Sequence, residues 1–288
     1  MSKSAMFWKP AENGLANCEL CHHNCKIPEG KSGFCNVREN IDGRLYAASY
    51  SLVSAIALDP IEKKPLYMFY PGKLILSIGG FGCNLRCPFC QNCEISINFN
   101  NYKNTQAVSP EYIAELAKKS VPDGNIGVAY TYNEPFMGYE FIYDCAKLIR
   151  NAGLFNILVT NGCVNREPLE LILPFIDAMN IDLKSFSNSF YKKIGGNLET
   201  VQDTIKSASK SCHVEIATLI IPGENDSEDE IAELAGWLAS LDTSIPLHLS
   251  RFFPRYKYSH KEPTSRETVI RLSNIAKKYL KNVFTGNM

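Results

Sequence analysis

The chain has 288 residues, 45% hydrophobic and 21% charged, with 30 Lys and Arg against 30 Asp and Glu. This length buries one large core, or one core with a small satellite. Zero formal net charge gives no electrostatic case for nucleic acid or an acidic membrane surface, and no apolar run nears the ~20 residues that span a bilayer. Residues 1–10 lack the basic end, apolar run and cleavage site of a signal peptide. Eleven cysteines, odd in number and grouped at metal-like spacings, point to metal ligation in the cytoplasm and not to disulfides.

Three regions follow in chain order. Residues 1–43 are polar and turn-rich and carry Cys18, Cys21, Cys25 and Cys35, with His22 and His23 among them. Four thiolates in a segment without a large core read as a small metal-stapled, cysteine-rich module. Zinc suits the tetrahedral four-cysteine count, while a second iron–sulfur cluster suits a redox setting. Residues 44–73 read as a β-hairpin-like connecting segment, β-prone over 45–57 and then broken by Asp59-Pro60-Ile61-Glu62-Lys63-Lys64-Pro65-Leu66. From residue 74 to 288, strand-like runs at 74–78, 126–131, 156–160, 178–183, 214–221 and 247–250 alternate with helical patterns. The helices are expected at 109–120, 136–152, 166–175, 198–211, 227–241 and 264–281. Ser109-Pro110-Glu111 and Ser227-Glu228 supply helix-start signals. Six βα units predict an α/β fold: a parallel sheet with helices outside, right-handed crossovers, and a partial (βα)6 TIM-like barrel.

The most specific chemistry lies in Gly79-Gly80-Phe81-Gly82-Cys83-Asn84-Leu85-Arg86-Cys87-Pro88-Phe89-Cys90, directly after the first strand. Cys83, Cys87 and Cys90 can hold three corners of a cubane [4Fe-4S] cluster, where four cysteines normally close it. The corner without a cysteine leaves one iron open to a small molecule. A zinc site or buried hydrophobic thiols are the bland alternatives, and the glycine-rich approach from a strand favours the cluster.

Ligands of parallel α/β folds gather at the C-terminal strand ends. Those ends carry Glu134 in Thr131-Tyr132-Asn133-Glu134-Pro135, Asn161 in Thr160-Asn161-Gly162, Asp182 and Lys184, then His248, Ser250 and Arg251. A carboxylate suits an ammonium group, and a lysine suits a carboxylate. Each also has a plainer reading. Glu134 can be an acid at a helix start, Asp182 and Lys184 a structural ion pair, and Thr160-Asn161-Gly162 an ordinary turn. His248 reads as a core histidine as readily as a catalytic one, and Arg251 beside aromatics suggests an anionic partner. Cys145 falls in a helical pattern and reads as core; Cys93, Cys163 and Cys212 receive no role.

The cysteine spacing and Phe89 resemble the signature of radical S-adenosylmethionine (SAM) enzymes. With Asp59 to Leu66, Glu94-Ile95-Ser96, Tyr130 to Pro135, Asn180 to Phe186 and His248-Leu249-Ser250-Arg251-Phe252-Phe253-Pro254, nearly the whole chain is similar to the radical SAM member of the AmmeMemoRadiSam system. That family is related to the pyruvate formate-lyase-activating enzymes. The resemblance implies a cluster whose open iron binds SAM and cleaves it to methionine and a 5′-deoxyadenosyl radical. It implies Glu134 at the methionyl amino group, Asn161 near the ribose, and Asp182 and Lys184 near the ribose and carboxylate. It also implies a low-potential donor of flavodoxin or ferredoxin type and the other two proteins of the system as partners. Family members continue past a Gly-Asn into a segment with paired cysteines; this sequence ends at Thr285-Gly286-Asn287-Met288, so no role of that segment is carried over. Two rival readings remain: a glycyl-radical-enzyme activase sharing the same cofactor site, and a non-catalytic zinc-binding scaffold.

Overall fold

The computed structural model describes residues 3–98 and 105–288. One sheet organises them, its strands lying side by side in chain order: β1 (Ala55–Pro60), β2 (Leu74–Gly79), β3 (Asn125–Thr131), β4 (Phe155–Thr160), β5 (Ala178–Asp182), β6 (His213–Ile220), β7 (Leu247–Arg251) and β8 (Val283–Gly286). The first pair is antiparallel and every later pair is parallel. Among the described residues β1 and β8 do not pair, so the barrel stays open. Connections between the parallel strands carry α1 (Pro110–Lys119), α2 (Tyr139–Asn151), α3 (Arg166–Ile172), α4 (Leu198–Ala208), α5 (Glu228–Leu241) and α6 (Arg266–Ala276). The six expected βα units are therefore present, in an α/β fold with a mostly parallel sheet.

Local signals explain the helix starts. Ser109 Oγ accepts from Tyr112 N–H and Ser227 Oγ from Glu230 N–H, each satisfying a donor that the first turn leaves unpaired. Ile113, Ala117, Ile149, Val201, Leu234 and Leu272 line the faces these helices bury. On the opposite, inner side of the sheet, the chain between β1 and β2 folds back and fills the lower half. Ile61 and Leu66 pack there against Ile75, Ala129, Ile157 and Ala178, and Asn180 Nδ2 donates to Pro65 O at 2.9 Å.

Three expectations need correction. The last helix ends at Ala276 and not at 281, and Val283–Gly286 instead joins the sheet beside β7, starting where Leu247 N–H donates to Asn282 O at 2.9 Å. Gly286 fits this register for a steric reason: a Cβ there would lie 2.5 Å from Ser250 Oγ. The boundary drawn at 43/44 falls inside a hairpin. Arg38–Ile41 pairs antiparallel with Arg44–Ala47 across Asp42-Gly43, both at positive φ (51° and 73°), as a two-residue hairpin turn requires. The segment 44–73 is no hairpin of its own, because its other main strand, β1, belongs to the large sheet.

Candidate active site

The loop after β2 is held between two neighbours by simple alternation. Gly82, Asn84 and Arg86 face the cysteine-rich module. Gly82 takes φ +81°, and a Cβ on it would meet Cys35 O at 2.7 Å, so this close approach admits only glycine. His23 Nε2 lies 2.9 Å from Asn84 O. Arg86 hydrogen-bonds Phe34 O, and its guanidinium sits 4.0 Å from the Phe34 ring centre. Cys83, Leu85 and Cys87, the residues between, face a cavity of about 400 Å³ at the C-terminal ends of the strands, and Cys90 also lines it. Phe89 anchors the far end of the loop against Phe190 and Tyr258.

The donor set suits an iron–sulfur cluster. Burial pushes the Cys87 thiol up to about 12, with Lys184 opposing the shift, so without a metal it is no ready nucleophile. Leu85 N–H donates to Cys83 Sγ at 3.3 Å, and Asn161 Nδ2 lies 3.6 Å from the same sulfur. No three of the described His, Cys, Asp and Glu side chains stand close enough together to ligate a single ion.

The same cavity collects Glu134, Asn161, Asp182 and Lys184. Glu134, 3% exposed, follows β3 and accepts from Thr160 Oγ1 (2.7 Å), Asn161 N (2.8 Å) and Phe136 N (3.1 Å). Burial lifts its carboxyl to about 7 against these three donors, with Asp182 adding to the lift. An arriving ammonium would favour the ionised form. Asn161 is fixed at both ends of its amide: Nδ2 donates to Asn84 Oδ1 (2.9 Å), and Oδ1 accepts from Cys163 N (2.8 Å). Lys184 Nζ reaches Asp182 Oδ2 at 2.9 Å. Burial works against the Lys184 charge, but Asp182 outweighs it and keeps the ammonium protonated.

The two candidate catalytic residues are not in this cavity. His248, 3% exposed, points its ring at Glu215 (2.6 Å) and packs between Tyr67 and Phe284. Arg251 donates through Nε to Thr264 O (2.8 Å) and covers the Phe253 ring. The structure places these side chains against a carboxylate in the lower barrel and a neighbouring loop. Sequence reasoning missed Asn84, which links the loop to Asn161, and a network beside the cavity. There Lys64 and Tyr132 both bond Asp59 Oδ2, at 2.8 and 2.7 Å. Burial alone would raise the Asp59 carboxyl, yet these bonds hold it well below its usual range. A signal for this network existed, since Asp59 and Lys64 lie five residues apart across one Pro-flanked turn, and a buried lysine needs a partner.

The model of the radical SAM superfamily matches residues 77–235. An uncharacterized protein of Methanocaldococcus jannaschii, MJ0808, is 42% identical over 99% of this chain and 85% of its own length. The pyruvate formate-lyase-activating enzyme of Clostridium pasteurianum is 26% identical over 56% of this chain and 67% of its own. Among solved structures, a radical SAM methyltransferase from Sphaerobacter thermophilus shares the fold with a TM-score of 0.56, covering 76% of this chain and 67% of that one, at 16% identity. The cysteine loop, the open barrel around it and the family match leave one conclusion: the chain belongs to the radical SAM superfamily.

Proposed function

We propose that this protein is a cytoplasmic radical SAM enzyme of the AmmeMemoRadiSam kind, with Cys83, Cys87 and Cys90 holding a [4Fe-4S] cluster. When bound, that cluster supplies the electron that cleaves SAM to methionine and a 5′-deoxyadenosyl radical, which abstracts hydrogen from a substrate. The protein's own groups bind and orient. Glu134 takes the methionyl ammonium, giving up its proton as the cation arrives. Asp182 and Lys184 meet the ribose and the carboxylate, and Asn161 meets the nucleoside side while its amide stays fixed by Asn84. Walls of Leu85, Phe89 and Leu219 keep water from the reacting region. One observation carries the reading: three thiols and these four polar residues line a single cavity of about 400 Å³, within the usual range for a small-molecule site. A flavodoxin- or ferredoxin-type protein serves as electron donor, and the other two proteins of the system are the expected partners.

The test is anaerobic reconstitution followed by dithionite and SAM, with 5′-deoxyadenosine quantified. Iron and sulfide uptake, with product formed by the intact chain and absent in Cys87→Ala, supports the reading. Iron-free protein that never cleaves SAM defeats it in favour of a zinc-binding scaffold. A second reading, a glycyl-radical-enzyme activase, gains from the likeness to the Clostridium pasteurianum enzyme. It predicts an organic radical on a partner protein, seen by electron paramagnetic resonance, without turnover of a small substrate.

A further inference from the structure

The segment that fills the lower barrel also reaches the cavity above it. Lys63, Lys64, Tyr132 and Ser250 line the same cavity as the thiols and have no part in the SAM contacts proposed above. Lys64 is 2% exposed. Its Nζ donates to Asp59 Oδ2 at 2.8 Å and lies 4.6 Å from the Tyr132 ring centre. An ammonium carries three N–H donors, and among the described residues Asp59 is the single acceptor hydrogen-bonded to this one. Asp59 is itself fully supplied. Lys63 Nζ holds Oδ1 at 3.2 Å, while Lys64 and the Tyr132 hydroxyl share Oδ2. Two ammoniums against one carboxylate leave one positive charge in excess. Burial accordingly pulls Lys64 below the usual lysine range in spite of its bond to Asp59. A further anion beside it would be stabilising.

Tyr132 supplies a second observation. It takes φ +72°, in the left-handed region that a bulky side chain rarely enters. Its ring lies on Gly79, where a Cβ would meet Tyr132 Cδ2 at 2.9 Å. Asn92 Nδ2, just past the cysteine loop, donates to its carbonyl at 2.7 Å. Strain of this kind persists only where the surroundings impose it, and it gathers at ligand sites. Here it turns the ring to the Lys64 ammonium and the hydroxyl to Asp59.

We propose that Lys64, with Lys63 at the rim, seats a carboxylate of the substrate, so that the molecule presented to bound SAM is a small organic acid. The inference rests on the function proposed above for what occupies the rest of the cavity. One excess positive charge matches a monoanionic carboxylate and falls short of a phosphate dianion. Pro65, Ala217 and Leu219 offer apolar wall for the body of such an acid. Lys184 stays with the methionyl carboxylate of SAM, and the two lysines thus separate the two anions.

The test uses benzoate, a monoanion with an apolar body, and the full chain reconstituted without oxygen. Saturation-transfer NMR should show saturable benzoate binding that survives excess SAM. Lys64→Met should weaken it about tenfold or more, and Lys64→Arg should keep it within about threefold. A lysine with a purely structural role would lower Tm in Lys64→Met and leave benzoate binding unmoved. That result overturns the proposal, as does displacement of benzoate by SAM or the absence of saturable binding. Inorganic phosphate competing at equal or lower concentration than benzoate overturns the choice of a carboxylate. Should Lys64→Met precipitate, crystals of the unsubstituted chain soaked with para-bromobenzoate give a second reading, with bromine located by anomalous scattering. The carboxylate should lie within hydrogen-bond distance of Lys64 Nζ; a place beside Lys184, or none in the cavity, overturns the proposal. A chain that seats benzoate at Lys64 yet never cleaves SAM would reject only the function proposed above.

Discussion

Two buried glutamates on neighbouring levels of one barrel behave in opposite ways. Glu134, at the upper cavity, accepts three hydrogen bonds and still rises to about 7 from an ordinary 4.5. Glu215, in the lower barrel, falls to about 2 although burial opposes it, because His213, His248 and the Tyr67 and Met68 N–H groups all donate to it. Burial pushes both carboxyls up, so the number of donors that oppose it decides the direction. The lower carboxylate has its full set of partners, two of them imidazoles, and locks the segment between β1 and β2 to β6 and β7. The upper carboxylate shares its surroundings with another carboxylate, Asp182, and is left ready for a cation.

Removing the lower group should have the largest effect on stability. Glu215→Ala strands two histidines and two backbone N–H groups in the core. It should cost about 4 kcal/mol and on the order of 10 °C in Tm, measured by denaturant and thermal unfolding. A loss below about 1 kcal/mol would remove the structural half of the comparison. The pH dependence should then split in sign. Between pH 4.5 and about 7 the folded, metal-free chain keeps a proton on Glu134 that the unfolded chain has released, so stability should fall as pH rises through that window. Between pH 4.5 and about 2 the unfolded chain takes up a proton that Glu215 refuses, so stability should fall as pH drops. Each contributes about 3 kcal/mol. Glu134→Gln should flatten the first slope and Glu215→Gln the second, read from unfolding curves across pH; unchanged slopes would sink the assignment.

Ligand binding sharpens the contrast at smaller scale. Glu134→Gln should weaken SAM about thirtyfold, near 2 kcal/mol, by loss of a charge-assisted bond, whereas His248→Gln should leave SAM affinity within about twofold. Equilibrium dialysis of the reconstituted protein decides this. Lys184→Met should cost about tenfold by the same measurement, less than Glu134 because the lysine is partly exposed and already paired with Asp182. Smallest of all, Ser227→Ala removes the cap of α5 and should lower stability by about 1 kcal/mol with SAM affinity unchanged. A change in SAM binding there would mean that α5 communicates with the cavity.

Local devices were legible in the sequence because they are complete within a few residues. The cysteine loop, the Ser109 and Ser227 caps and the strand-end position of Glu134 needed only spacing, capping chemistry and the rule for where parallel strands end. The hairpin across Asp42-Gly43 is equally local, and its Asp-Gly pair is itself the turn signal. His248 and Ser250 show the other case. They alternate correctly onto one face of β7, and both face inward, yet Ser250 lines the cavity and His248 lies on Glu215 below it. Period two gives the face of a strand and says nothing of the height at which another segment fills the barrel.

The sequence alone thus determined the αβ alternation, the three-cysteine loop and the presence of a second cysteine group, since each rests on near neighbours in the chain. Only the tertiary structure decided that the strand after α6 extends the sheet, that residues 61–66 plug its lower half, and that Asn84 stands between the two cysteine groups. Those outcomes depend on contacts such as Glu215 with Tyr67, 148 residues apart, where no local propensity or spacing reaches.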